Sequence, residues 1–313
     1  MAYTPLRIST VKPNRELSFD LYIFFKDTYL KYSERGTSIE EEKYSKLKKQ
    51  KIAKFYITES DEPHYQAFLD KLLMDTMNDP KVPLDEKVNV VDGACSTAVE
   101  RMQKDPESES AYKMTSSAAK SLRQIVEQNP EALKKIFGKK ASEADMIIKH
   151  SLNVSALATK LAVKMKCTNE QIDNIATAGL IHDVGITRLN QQDQSLFKKE
   201  KGKYTSDDKR IYGLHVKDAV KALSDKPWVT KEVMELVINH EEVLSGLGPN
   251  KKKKLSMPEM IISLVNTYDK HIITTGESPQ DAIKSLMINE LGNYELDLMN
   301  KFKEILKSEQ LFE

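Results

Sequence analysis

Cysteine is nearly missing from the 313 residues. Cys95 and Cys167 are the only two, too few and too scattered for a disulfide framework or a thiolate zinc site. A reducing, cytoplasmic setting fits that usage. No apolar run approaches the ~20 residues that a membrane-spanning helix needs. The opening MAYTPLRISTVK also lacks the basic-then-apolar layout of a signal peptide. An excess of one charge is missing too: 48 Lys and Arg stand against 47 Asp and Glu, a net charge of +1. That excludes a chain drawn to DNA or to a membrane by its global field. There are no internal repeats, and Lys251-Lys252-Lys253-Lys254 is the one charge run, most simply a solvated surface.

What is present suits a folded protein. Hydrophobic residues make up 40% of a length that fits two domains or one large one. The histidines are unevenly spread: five of the six, at 150, 182, 215, 240 and 271, follow residue 149.

The N-terminal stretch reads as a small α+β module. Leu6 to Val11 alternates apolar and polar residues, and Phe19 to Phe25 is aromatic and β-rich. Lys26-Asp27 can turn the second strand into Thr28–Tyr32. Ser38-x-x-Glu41 predicts a capping box for a charged helix with Tyr44, Leu47 and Ile52 on its apolar stripe. Phe55–Thr58 looks like one more strand. With no His, Cys or Gly-rich loop, this module is expected to regulate or to form interactions. From Pro63-His64 onward the pattern is helical, broken at Asp79-Pro80, Asp105-Pro106 and Asn129-Pro130. The segments 84–104 and 107–128 read as connecting helices. Further helices are predicted near 141–165, 168–183, 207–223, 229–243, 257–274 and 278–307.

His150 falls on the face that Ile147, Val154, Leu157 and Leu161 define, and taken alone it reads as a core residue. His182-Asp183 closes a helix lined with small residues, with Gly185 as its expected terminator. His215 opens another helix, and His240 ends the helix that Val233 begins. Each has a bland reading. Four helices that each bring a His to an apolar face or an end, one of them with an Asp, are also a good way to hold metal.

The ordered set His150-Ser151-x-x-Val154, His182-Asp183-Val184-Gly185, His215, Asn239-His240-Glu241 and Val265-Asn266-Thr267-Tyr268-Asp269 resembles the HD-GYP branch of the HD-domain metal-dependent phosphohydrolases. The resemblance covers about residues 140–307. It implies an all-helical domain with a di- or tri-metal centre that hydrolyses the bacterial messenger cyclic di-GMP to pGpG or GMP. Carried over residue by residue, it implies His150, His182 and Asn266 around one ion and His215 and His240 around another. Asp183 would bridge them as the catalytic carboxylate, with Asp269 as a fallback ligand. Two divalent ions are expected, iron first, with manganese or zinc as alternatives.

The chain also departs from that family. Ile186 replaces a Lys, Asn239-His240 stands for a His pair, and Leu247-Gly248-Pro249 occupies the Gly-Tyr-Pro register without a Tyr. Asn266 replaces an Asp, residues 274–278 lack an Arg-Pro-Tyr stretch, and Met146 replaces the Glu associated with a third ion.

The expected architecture is mainly α. A small α+β domain over 1–78 and a helical linker region over 79–139 precede an HD-type helical metal-binding bundle over 140–313. The expected activity is hydrolysis of a phosphodiester by metal-activated hydroxide, under control of the N-terminal domain. One rival is a metal-holding signalling module that binds cyclic di-GMP or a protein partner without turnover. Another is hydrolysis of a different nucleotide. A protein partner or a second copy would join through the N-terminal domain and linker helices. The sequence singles out no substrate-binding residues.

Overall fold

The structure, a computed structural model, describes residues 2–137 and 145–312. The start of the helix expected from 141, and the boundary expected at 139/140, lie outside the described residues. Four short strands, β1 (Tyr3–Arg7), β2 (Leu21–Phe25), β3 (Thr28–Ser33) and β4 (Lys54–Thr58), form one antiparallel sheet in the order β1-β4-β2-β3. Lys26 and Asp27, at φ 46° and 59°, make the hairpin between β2 and β3. Leu6, Leu21, Phe55 and Ile57 point inward and are buried, whereas Phe24 and Phe25 stay 47% and 56% exposed. The first alternating run ends sooner than its pattern suggests, because Ile8–Thr10 coil into a single 3-10 turn.

Helix α1 (Glu41–Lys49) buries Tyr44 and Leu47 as its stripe predicts, but no capping box forms at Ser38. Glu40 carries the extended backbone of the N-cap, which leaves Ser38 too early in the chain to reach the first turn. Then come α2 (Glu62–Asn78), α3 (Leu84–Lys104), α4 (Glu109–Gln128) and α5 (Ala132–Phe137). The C-terminal helices are α6 (Met146–Lys164), α7 (Asn169–Ile181), α8 (Gln191–Gln194), α9 (Ser206–Tyr212), α10 (Leu214–Leu223), α11 (Lys231–Asn239), α12 (Met257–Thr275), α13 (Pro279–Asn289) and α14 (Leu296–Ser308). Thr168 with Gln171, Thr205 with Asp208 and Ser256 with Glu259 close reciprocal capping boxes at α7, α9 and α12.

Two long predicted helices are each divided. The 207–223 run breaks at Gly213, and the 278–307 run breaks where Gly292 takes φ +87°. The second break lets Tyr294 leave the helical line, so that its hydroxyl pairs with Ser263 and Thr267 on α12.

One continuous core runs from Leu6 to Leu306. Helix α3 lies centrally in it. β1 and Ile8–Thr10 rest on α3, which also meets α6, α7 and the 3-10 turn Val184–Arg188. Thr187 in that turn donates to the Gln103 carbonyl at 3.1 Å.

Two glycines allow backbones to meet where side chains must converge. A Cβ on Gly179 would stand 2.6 Å from Ser155 Cα, so α6 and α7 pack almost backbone to backbone. Gly185 does not terminate α7, which already ends at Ile181. It sits in the following turn, where a Cβ would lie 1.9 Å from the His215 carbonyl oxygen, and so brings that turn onto α10. Gly179→Ala should therefore lower the unfolding free energy by about 1–3 kcal/mol or more. Gly202→Ala, which would meet nothing within 4 Å, should be close to neutral in the same urea titration.

Candidate metal centre

The backbone decides the tautomer of three of the clustered histidines. His182, just after α7, donates from Nδ1 to the Gly179 carbonyl at 2.9 Å. His240, just after α11, donates to the Val237 carbonyl at 2.6 Å, and His215 makes the same bond to Tyr212 at the end of α9. Each bond satisfies a carbonyl that a helix leaves unpaired in its last turn. A carbonyl only accepts, so Nδ1 carries a proton, and in the neutral ring the Nε2 lone pair is free. On α6, His150 reaches the same state through a carboxylate. Its Nδ1 lies 2.7 Å from Asp269 Oδ2, while Asp269 Oδ1 accepts from Asn153 at 2.9 Å.

All four Nε2 atoms point into one buried space. Those of His150 and His182 are 3.1 Å apart, as are those of His215 and His240. Asp183 lies between the pairs. Its Oδ2 is 3.5 and 3.4 Å from the first, and its Oδ1 is 3.3 and 3.6 Å from the second. Asn266 Oδ1 joins the first pair, 2.9 Å from His150 Nε2. Its amide is turned that way because Nδ2 donates to Glu241 Oε1 at 3.1 Å.

As a hydrogen-bond network this set is poor. Lone pairs face lone pairs, and neither buried oxygen of Asp183 has a hydrogen-bond partner. As a ligand set it fits. Atoms held at ~2.1 Å by one ion stand ~3.0 Å apart in an octahedron and ~3.4 Å apart in a tetrahedron. The separations here run from 2.9 to 3.6 Å. Two groups could thus hold a cation: His150, His182 and Asp183, with Asn266 beside them, and Asp183, His215 and His240. The second offers fewer protein atoms and would keep more positions open. Burial holds the His182 imidazole down to about 3, which keeps its lone pair available. Burial pushes the Asp183 carboxyl up, yet its basic surroundings hold the group well below the usual carboxylate range.

A cleft of about 590 Å³ reaches the second group, with His215 and Glu241 in its wall. Lys201, Lys209, Arg210 and Lys217 also line it. Lys201 is paired with Glu241 and Arg210 with Asp207, whereas Lys209 and Lys217 face no carboxylate among the described residues. Leu247-Gly248-Pro249 forms another part of the wall. The Glu242 carboxylate organises that loop by accepting from the backbone N–H of Asn250 at 2.6 Å and of Lys252 at 2.8 Å.

The six residues His150, His182, Asp183, His215, His240 and Asn266 thus meet in one place. Asp269 stands behind His150 as its hydrogen-bond acceptor. Asn239 turns away and donates to Glu259 Oε1 at 2.5 Å, so the group beside His240 at the centre is Glu241. Ile186 is fully buried with Leu196, Phe197 and Tyr212, and Met146 packs against them. The Lys251–Lys254 run does not line the cleft, and His271 pairs with Glu277 at 3.1 Å. Sequence reasoning missed Glu241, Lys270 and the cationic rim. Its place in the Asn239-His240-Glu241 motif was the signal for the first, and the others are scattered among many similar charges.

A profile of the HD domain matches residues 120–295. The HDG"Y"P protein Bd1817 from Bdellovibrio bacteriovorus superposes with a TM-score of 0.75 at 25% identity, over 98% of this chain and 100% of that one. The HD domain of the L. monocytogenes phosphodiesterase PgpH gives a TM-score of 0.39 at 15% identity, over 56% of this chain and 94% of that one. No curated protein matches the chain by sequence. No helix among the described residues is long and apolar enough to cross a membrane.

Lys270 is the other unusual group near the centre. It is 2% exposed, and burial pulls its ammonium down to about 7 although Asp183, Glu241 and Asp269 oppose the shift. In the unfolded chain it keeps its proton up to its ordinary value of 10.5. Between these values the unfolded state binds more protons, so stability rises with pH across the window. Chelator-treated protein should gain on the order of a few kcal/mol from about pH 7 to pH 10. Lys270→Met should flatten that slope in urea titrations across the same range.

Proposed function

The chain belongs to the HD-domain family, and on that premise we propose that it is a metal-dependent phosphodiesterase of the HD-GYP type that hydrolyses cyclic di-GMP. The observation that carries this reading is the Asp183 carboxylate, buried without a hydrogen-bond partner and shared between two imidazole pairs beside a cation-lined cleft. In this reading Asp183 spans two sites, His150, His182 and Asn266 complete one, and His215 and His240 complete the other. Iron is the first candidate, and manganese and zinc suit the same nitrogen and oxygen donors. Two such ions supply a water of lowered pKa and neutralise phosphoryl oxygens in an in-line displacement.

The protein's own part is to hold and orient. Nδ1 bonds fix every imidazole, Glu241 turns Asn266, and the cleft offers ammonium and guanidinium groups to a phosphate backbone. The more open group, His215 and His240, is the one the cleft reaches, which is where a reacting phosphate must enter. The N-terminal module acts as the regulatory input. Because α3 carries the sheet on one side and the Val184–Arg188 turn on another, a shift of the sheet has a packed route to Asp183.

One observation favours a binding module without turnover. Ile186, where the family pattern places a Lys, is buried in an apolar cluster and offers no contact to substrate. The two readings part on product. Protein purified without added metal should contain about two equivalents per chain, and His182→Ala with Asp183→Ala should lose them. Full occupancy in that double variant would overturn the ligand assignment. Metal-loaded wild type should convert cyclic di-GMP to pGpG, and binding without product would establish the non-catalytic module.

A further inference from the structure

An ammonium buried without a carboxylate partner is costly and needs a reason. Lys270 makes no ion pair within 4 Å among the described residues and is 2% exposed. Its Nζ donates one hydrogen bond, to the Tyr212 hydroxyl at 2.5 Å. The same atom lies 3.6 Å from the centroid of the Phe197 ring and 4.6 Å from that of Tyr212. The Phe197 ring holds the cation by its π face and the Tyr212 hydroxyl fixes its position. They supply no acceptor for its remaining N–H bonds.

The surroundings say where those bonds are useful. Lys270 follows Asp269, the residue that orients His150, and Tyr212 lends its carbonyl to His215. Lys270 is therefore hydrogen-bonded to the residue that orients one pair and is the chain neighbour of the residue that orients the other. It also lines a recess of about 400 Å³ whose wall shares Lys201, Gly202, Thr267 and Glu290 with the main cleft. A group that reaches His215 through the cleft thus has a side chamber with Lys270 in its wall.

We propose that Lys270 is an anion-binding residue of the centre, holding a phosphoryl oxygen of the substrate from a helix other than the one after His182-Asp183. The inference rests on the phosphodiesterase reading above and assigns the substrate contact that Ile186 cannot make. A bound phosphoryl oxygen accepts from the N–H bonds that have no acceptor and compensates the buried charge. The aromatic box then serves as a socket, and the absence of a carboxylate is what leaves the ammonium free for its ligand.

The test titrates inorganic phosphate into metal-loaded protein by calorimetry, with metal content and thermal midpoint measured on the same samples. Lys270→Met keeps the length and removes the charge. It should weaken phosphate binding by about tenfold or more, with metal content unchanged and the fold at least as stable. Lys270→Arg should restore part of the affinity. Undiminished phosphate binding by Lys270→Met at full metal content would make Lys270 a structural residue and overturn the inference, leaving the phosphodiesterase reading intact. A wild type that holds no metal would instead remove that reading, and this inference with it. If Lys270→Met lost metal together with phosphate, the charge would belong to assembly of the centre, and the inference would likewise fall.

Discussion

The Asp183 carboxylate is the constraint around which the C-terminal helices are arranged. A buried carboxylate normally accepts several hydrogen bonds, and one that accepts none is expensive to hold in place. Here both oxygens are buried and bare, each 3.3 to 3.6 Å from two imidazole nitrogens that carry no proton to give. Cations bound on both sides, as proposed, would relieve this arrangement at once. The fold then has to bring four helices within a few ångströms of one side chain. It does so with backbone contacts at Gly179 and Gly185, because side chains there would hold the helices apart.

Orientation is achieved by reusing the helix ends. The carbonyls of Gly179, Tyr212 and Val237 belong to last turns, which lack intrahelical donors, and three imidazoles supply them. The same bond that closes a helix selects the tautomer, so the local structure and the site chemistry are one feature. His150 lies within a helix and has no such carbonyl. Asp269 does the work in its place and is itself held by Asn153. Asp269 is thus more useful behind the imidazole than in the centre, where it would add charge without fixing a tautomer.

Much of this was legible in the sequence, and the reason is periodicity. Apolar spacing marked α3 over 84–104 and α12 to within a residue, and small residues along α7 marked a close-packed helix. The six residues that converge are those the ordered motifs single out. What escaped depended on three-dimensional neighbours. Gly292 and Tyr294 divide the last predicted helix because the Tyr ring is buried against α12, which no helical count reveals. Asn239 and Glu241 flank His240 in the chain, and only the direction of the backbone after α11 decides which faces the centre. Lys270 looks in sequence like any helix-surface lysine, and its burial comes from Phe197 and Tyr212, far from it in the chain.

The overall charge of +1 hides a strongly partitioned interior. At the centre, Asp183, Asp269 and Glu241 bring carboxylates, while Lys201 and Lys270 bring ammonium groups. The carboxylates exceed the ammonium groups by one, so the two divalent ions of the proposed function would leave the filled centre clearly positive. Asn266 sharpens this, since it offers an oxygen without the negative charge of the Asp in the family pattern. Fewer carboxylates mean a weaker hold on the ions and a stronger pull on an anion. If the protein acts on a phosphate ester as proposed, the attraction for it would be generated inside the protein, by what the site omits, and the cationic residues of the cleft would extend it to the surface.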